Sequence, residues 1–202
     1  MSTTFLAAMT VRLGLADTRS LRALQEASAV LFVTVLTIVA AQISIPLPFT
    51  PVPFTFQPMV VLVGAAALGA RLGVASQVLY LTLGIMGLPV FAASPVLPQG
   101  IARLLGPTGG YLMAYPLAAF VSGSLAEGGF DRRYVTALLS MIIGLAFVFA
   151  GGVSWLALYA QPVRGFAGAL ATGFYPFIIP DLVKLAVAAG VMPGLWWLTG
   201  RT

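Results

Sequence analysis

The sequence predicts an all-α integral membrane protein with six transmembrane helices and with both termini in the cytoplasm. Three observations predict it. Of the 202 residues 60% are hydrophobic and only 7% are charged, against about 25% charged in a soluble domain. Such a chain cannot cover a water-facing surface. The apolar runs are long enough for helices, which need about 20 residues to cross the hydrocarbon, and they lack the alternating polarity of a barrel strand. Finally, the arginines segregate between the loops, as the positive-inside rule requires.

The elements follow in order. Residues 1–20 read as a cytoplasmic leader before a membrane domain over 21–202. The apolar positions Phe5, Leu6, Met9 and Leu13 fall at near-helical spacing, and no cleavable signal is evident. Six spans are expected at about 23–45, 54–70, 72–89, 109–126, 134–160 and 168–199, with a tight turn at Arg71 between the second and third. With the N-terminus inside, Arg12, Arg19, Arg22, Arg71, Arg132, Arg133 and Arg201 fall on the cytoplasmic side. Arg103 and Arg164 fall outside. Small residues at four-residue spacing let helices approach closely. In "GAAALGA" (64–70) this reads as internal packing. For Ala23 and Ala27, internal packing and a partner-docking face are both open.

Two segments are irregular. "IPLPFTPVPFTFQP" (45–58) carries Pro46, Pro48, Pro51 and Pro53, which remove donors and fix φ. It is expected to run extended, either as a stiff connector or as an apolar lid built on Phe49, Phe54 and Phe56. "GLPVFAASPVLPQGIARLLGPTGGYLMAYP" (87–116) contains a long apolar loop, and such loops are usually functional or disordered. Its "GPTGGY" then opens a helix, whose glycines and free N–H groups suit either a ligand or a plain helix start.

Within the last span, "FYPFIIPDLVKLAVAAG" (174–190) places Asp181 and Lys184 three residues apart on one helix face. An isolated charge at mid-bilayer is unfavourable by roughly 2.5–3.5 kcal/mol. The pair lowers that penalty without explaining why either charge is present. It reads as a structural ion pair or as the polar contact of an apolar ligand pocket. Pro176 and Pro180 are expected to interrupt the helix, which restarts behind Pro180.

Several function classes fall away. The net charge of +5 is scattered, without a basic run, so nucleic acid is not a partner. No Cys and no His occur, which removes disulfides, Cys or His metal ligands and Cys/His or Ser/His catalysis. One intramembrane Asp and one Lys leave little for an intramembrane enzyme. No G-x-x-x-x-G-K-[ST] phosphate loop is present, so ATP-driven work would need separate ATPase subunits. A stand-alone proton-coupled transporter using Asp181 is the rival reading.

"IPLPFTPVPFTFQ", "GARLGVASQVLYLTLGIMGLPVFA", "LLGPTGGYLMAYPLAAF" and "PDLVKL" together resemble the BioY family, in the same order and spacing over residues 42–190. That family comprises the biotin-binding membrane (S) components of energy-coupling-factor (ECF) transporters. The resemblance implies a multi-pass protein of the bacterial cytoplasmic membrane that needs no cofactor. It also implies biotin uptake through an outward pocket closed by the first external loop. Its partners would be the ECF transmembrane coupling subunit and ATPase subunits. Asp181 and Lys184 would be polar ligand contacts, joined by Gly109, Gly110, Tyr111, Phe49, Gln57 and Phe91. Ala23 and Ala27 would dock the coupling subunit. Two departures stand out: Pro58 after Gln57, and "ASPVLPQGIARLL" in place of a glycine-rich loop. The role of residues 92–103, the ligand end met by Lys184 and function as a homo-oligomer are left open.

Overall fold

The computed structural model describes residues 4–12, 19–94, 97–159 and 165–198. Leu13, Arg164 and Arg201, invoked above, lie outside them. The chain forms α1 (Phe5–Arg12), α2 (Arg19–Gln42), β1 (Ser44–Ile45), β2 (Phe54–Thr55), α3 (Gln57–Leu68) and α4 (Ala70–Ile85). There follow α5 (Ile101–Leu105), α6 (Gly109–Glu127), α7 (Tyr134–Ala157), α8 (Gly165–Gly173), α9 (Tyr175–Ala188) and α10 (Val191–Leu198).

Among the described residues three stretches are long and apolar enough to cross a membrane: Arg19–Gln42, Tyr134–Ala157 and the interrupted Gly165–Leu198. α3 and α4 are shorter apolar helices. With these spans the chain is a multi-pass helical membrane protein. α6 lies at the centre, packed on α3, α4 and α7. The main core runs through it, from Val61 and Leu62 of α3 to Leu145 and Val148 of α7 and Leu185 of α9.

Two breaks fall elsewhere than the sequence suggested. α3 and α4 part at Gly69, not at Arg71, which lies inside α4. Gly69 has φ of 86°, a left-handed value that glycine adopts without a Cβ penalty. The freed Ala70 N–H donates to Glu127 Oε1 at 2.9 Å. The last span breaks at Phe174 (φ −123°, ψ −62°) and restarts at Tyr175, with Pro176 in its first turn. Proline is tolerated there because that N–H has no helical partner. Pro180 sits inside α9 rather than ahead of it, at the loss of one ladder bond, to the Pro176 carbonyl.

The proline-rich segment is a hairpin. Ser44 pairs with Thr55 and Ile45 with Phe54, antiparallel. Its tip is held down: Thr50 Oγ1 donates to the Thr172 carbonyl of α8 at 2.6 Å. Its base is tied to the next loop by Ser44 Oγ, which donates to Ala93 O at 3.1 Å.

Candidate functional site

Beneath the hairpin lies a cavity of two adjoining lobes, each with free space of about 50 Å³. Val52, Pro53 and Thr55 of the hairpin and Tyr111 and Tyr115 of α6 border both lobes. The two tyrosines lie one turn apart and form the shared wall. Tyr111 is fixed by donating its hydroxyl to the Gly173 carbonyl at 2.8 Å. Gly152 of α7 leaves room for its ring, since a Cβ there would overlap it.

Asp181 and Lys184 line one lobe with Phe149 and Phe177. Both are buried and form an ion pair. Lys184 Nζ also donates to the Thr55 carbonyl at 2.6 Å. It stands 4.1 Å from the centroid of the Phe54 ring and 5.6 Å from that of Phe56. The ammonium thus meets a carboxylate, a carbonyl and two aromatic rings, which replace water around a charge inside the membrane.

The other lobe is lined by Gln57, Phe91, Arg103 and Thr108. Gln57 Nε2 donates to the Tyr80 hydroxyl at 2.7 Å. Phe91 packs edge-on against Tyr80, with centroids 5.6 Å apart. Arg103, only 1% exposed, donates from Nε to Pro98 O at 2.8 Å and from Nη2 to Ala92 O at 2.8 Å and Leu97 O at 3.3 Å. These bonds gather Ala92, Leu97 and Pro98 around one guanidinium. Among the described residues no carboxylate lies within ion-pair reach of it. Burial pulls its pKa below the usual value, yet a guanidinium stays protonated in proteins. The buried Thr108 Oγ1 has no hydrogen-bond partner. This lobe therefore holds an unneutralised cation beside an unused hydroxyl.

Of the residues singled out in the sequence, the structure brings together Asp181, Lys184, Tyr111, Gln57 and Phe91. Gly109 and Gly110 do not line the cavity. They let α6 start in close contact with its neighbours, since a Cβ on Gly109 would strike the Leu104 carbonyl and one on Gly110 would strike Trp155 and Gly151. Phe49 is 60% exposed and borders neither lobe; Val52 and Thr55 turn inward instead. Ala23 and Ala27 are exposed on α2, away from the cavity. Sequence reasoning missed the inward roles of Arg103, Thr108, Tyr115 and the Thr55 carbonyl. The available signal was Arg103, a lone arginine in an otherwise apolar loop.

A second surface feature is a groove of about 540 Å³, almost wholly apolar, between α2, α3, α9 and α10. Phe32 and Leu36 of α2, Met59 and Val63 of α3, Val187 of α9 and Leu195 of α10 line it. Phe5, Leu6 and Met9 of α1 line it as well.

Comparisons with known proteins agree. The family model described as "BioY family" matches residues 9–201. A protein named "Probable biotin transporter BioY" from Pyrococcus horikoshii is 42% identical over 164 residues, covering 81% of this chain and 91% of its own. The "Biotin transporter BioY" of Thermotoga maritima is 44% identical over 156 residues, covering 77% and 86%. A solved crystal structure of "the S-component for biotin from an ECF-type ABC transporter" superposes with a TM-score of 0.76 at 25% identity, covering 89% of this chain and 94% of that one. These are transporters, not enzymes. With nearly the whole chain matched by the family model and close relatives matched over most of their length, the chain belongs to the BioY family.

Proposed function

We propose that this chain is the high-affinity biotin-binding subunit of a biotin uptake system, energised by separate ECF transmembrane and ATPase subunits. The observation that carries the reading is the polarity of the cavity. It is apolar at its middle, with a carboxylate–ammonium pair in one lobe and an unpaired guanidinium in the other. Ligand pockets have this character, apolar walls with a few placed polar groups. Biotin has a matching order of groups: a ureido ring with N–H donors and a carbonyl, an apolar bicycle and chain, and a terminal carboxylate.

The charges orient it. A ligand carboxylate beside Asp181 would meet a like charge, which is unfavourable. Beside Arg103 it gains a charge-assisted bond from a cation lacking an anion. The ureido end then falls to Asp181, which accepts an N–H, and to Lys184, which donates to the carbonyl. Tyr111 and Tyr115 pack the bicycle and chain between them. The hairpin acts as a lid, because Val52, Pro53 and Thr55 cover both lobes. The free space is well below the roughly 300 Å³ at which small-molecule pockets begin, so entry requires the hairpin to lift.

The six-span reading with both termini cytoplasmic fits this arrangement. Arg132, Trp196 and Phe5 meet at one end, and the hairpin with Arg103 lies at the other. α2 is the least covered of the long helices, with 22% of its apolar window buried against 44% in α7. Its exposed Ala23 and Ala27, and the apolar groove along another face of the same helix, offer the coupling subunit a surface to clasp.

Titration of labelled biotin onto the purified chain, then uptake in vesicles with and without the partner subunits, tests the reading. Biotin binding by the chain alone and ATP-dependent uptake with the partners are expected. Substituting Trp for both Ala23 and Ala27 should block assembly and leave binding intact. Uptake by the chain alone that collapses with the proton gradient would favour the stand-alone transporter instead.

A further inference from the structure

The guanidinium lobe is lined from α5, from the start of α6 and from the turn between them. That turn is pinned. Trp155 Nε1 of α7 donates to the Gly106 carbonyl at 2.9 Å, and the Gly109 N–H donates to the same carbonyl at 3.0 Å. The Gly106 N–H donates to the Arg103 carbonyl at 3.2 Å. The Tyr159 hydroxyl donates to the Leu105 carbonyl at 2.7 Å. Arg103 and Thr108 are thus held in a fixed relation, and both line the same lobe.

Local structure does not account for Thr108. It stands at the N-cap of α6, where a threonine hydroxyl ordinarily accepts from a free N–H of the first turn. Here its side chain makes no such bond. The residue is 6% exposed, and its Oγ1 has no hydrogen-bond partner. Burying a hydroxyl without a partner is unfavourable, and buried polar groups in folded proteins nearly always have one. A valine would fill the same space without that penalty. The surroundings are cationic. The start of this 19-residue helix carries a partial positive charge. Arg103 commits Nε and Nη2 to loop carbonyls, and among the described residues its Nη1 has no acceptor. An anion entering the lobe is the partner that the hydroxyl, the helix start and the guanidinium all lack.

We infer that Thr108 is a specificity-determining residue: its hydroxyl donates to the ligand carboxylate beside Arg103, so that the acid is taken in preference to its neutral analogues. The inference rests on the reading above that places the ligand carboxylate in this lobe. A carboxylate has two oxygens and accepts several bonds. The guanidinium supplies the charge, and a second donor on a pinned turn fixes how the carboxylate lies.

The test uses the full chain in detergent as the parent, Thr108→Val, Thr108→Ser and Arg103→Met. Binding of biotin and of biotin with its carboxylate converted to a neutral amide is measured, beside the ligand-free melting temperature. Thr108→Val should weaken biotin by about tenfold to a hundredfold, the scale of a hydrogen bond to a charged group, and the amide far less. Its ligand-free melting temperature should not fall, because the hydroxyl removed has no partner in the folded chain. Thr108→Ser, which keeps the hydroxyl, should recover most of the biotin affinity. Unchanged biotin affinity in Thr108→Val overturns the inference, and so do equal losses for both ligands. A lower ligand-free melting temperature overturns it too, because Thr108 would then be a structural cap. If Arg103→Met weakens both ligands alike, or the parent binds neither, the reading of the lobe fails and the inference fails with it. If Arg103→Met separates the two ligands while Thr108→Val does not, the reading stands and only the inference falls.

Discussion

Two aspartates are almost equally buried, Asp181 at 5% and Asp131 at 2% exposed, and they sit at opposite ends of the molecule in opposite circumstances. Asp181 has a full counter-charge three residues away and borders open space. Asp131, in the loop joining α6 to α7, accepts from the Trp196 indole Nε1, has the Arg132 charge beside it, and lines neither lobe of the cavity. Burial alone therefore does not mark a ligand site. The adjoining cavity is what separates the two, because in the proposed function Asp181 keeps a charge available to something that arrives later. Asp131 meets the Trp196 indole through a single oxygen, Oδ2.

Removing Asp181 should have the largest effect. Asp181→Ala should weaken biotin binding by a few kcal/mol, about a hundredfold or more, part of it from Lys184 left buried and unpaired. Asp181→Asn keeps the shape and should lose less. Lys184→Met keeps most of the volume and loses the donor. Affinity and thermal stability in detergent should be measured for each variant and for the Asn/Met double. A stable double variant that binds like the parent would turn Asp181 into a second structural aspartate and erase the contrast.

Arg103→Met comes next. It should weaken biotin by about 2 kcal/mol, the scale of a charge-assisted bond. A biotin whose carboxylate is converted to a neutral amide should be affected far less. Equal losses for both ligands would mean that the guanidinium only organises its loop.

Thr50→Val removes the hydroxyl that ties the hairpin tip to Thr172. Release, which needs the hairpin to lift, should quicken several-fold, for about 1 kcal/mol. An unaltered release rate would leave the hairpin a connector.

Asp131→Asn should have the smallest effect at neutral pH. Burial raises the Asp131 carboxyl above its ordinary value, although Trp196 and Arg132 pull it back. A raised folded-state value means that the charged form is the disfavoured one. The related stabilisation is full below the unfolded-state value and is lost as pH rises through the folded one. Acidification across that window should therefore stabilise the parent relative to Asp131→Asn, as read from paired melting curves. The opposite slope would mean that the bond from Trp196 depends on the charge.

Much of the fold was legible, for reasons that can be stated residue by residue. Asp181 and Lys184 stood out because a charge in an apolar run has few explanations. Arg103 did not, since an arginine in a loop is ordinary until its loop is seen to wrap it. Gly109 and Gly110 were legible as positions needing close approach, but glycine does not say what approaches; here it is the Leu104 carbonyl for Gly109 and Trp155 with the Gly151 carbonyl for Gly110. Phe49 was expected to face inward, yet prolines fix φ without imposing a face. The pairing of Ser44 with Thr55 decided which residues turn in. The break at Gly69 and the passage of α9 through Pro180 depend on tertiary partners, Glu127 for the first, that local sequence does not reveal.

The wall made by Tyr111 and Tyr115 has a consequence for how recognition is divided. If the proposed function holds, the two adjoining lobes that share Tyr111 and Tyr115 would serve as two subsites, and one ligand spanning both would behave as a bivalent one. A small cyclic urea and a short alkyl carboxylate should each bind weakly, without excluding the other. Joining them in one molecule should raise affinity beyond either alone through an effective concentration on the order of millimolar for a flexible linker, and more for a stiff one. Much of the tightness of the intact ligand would then come from connection rather than from any one contact.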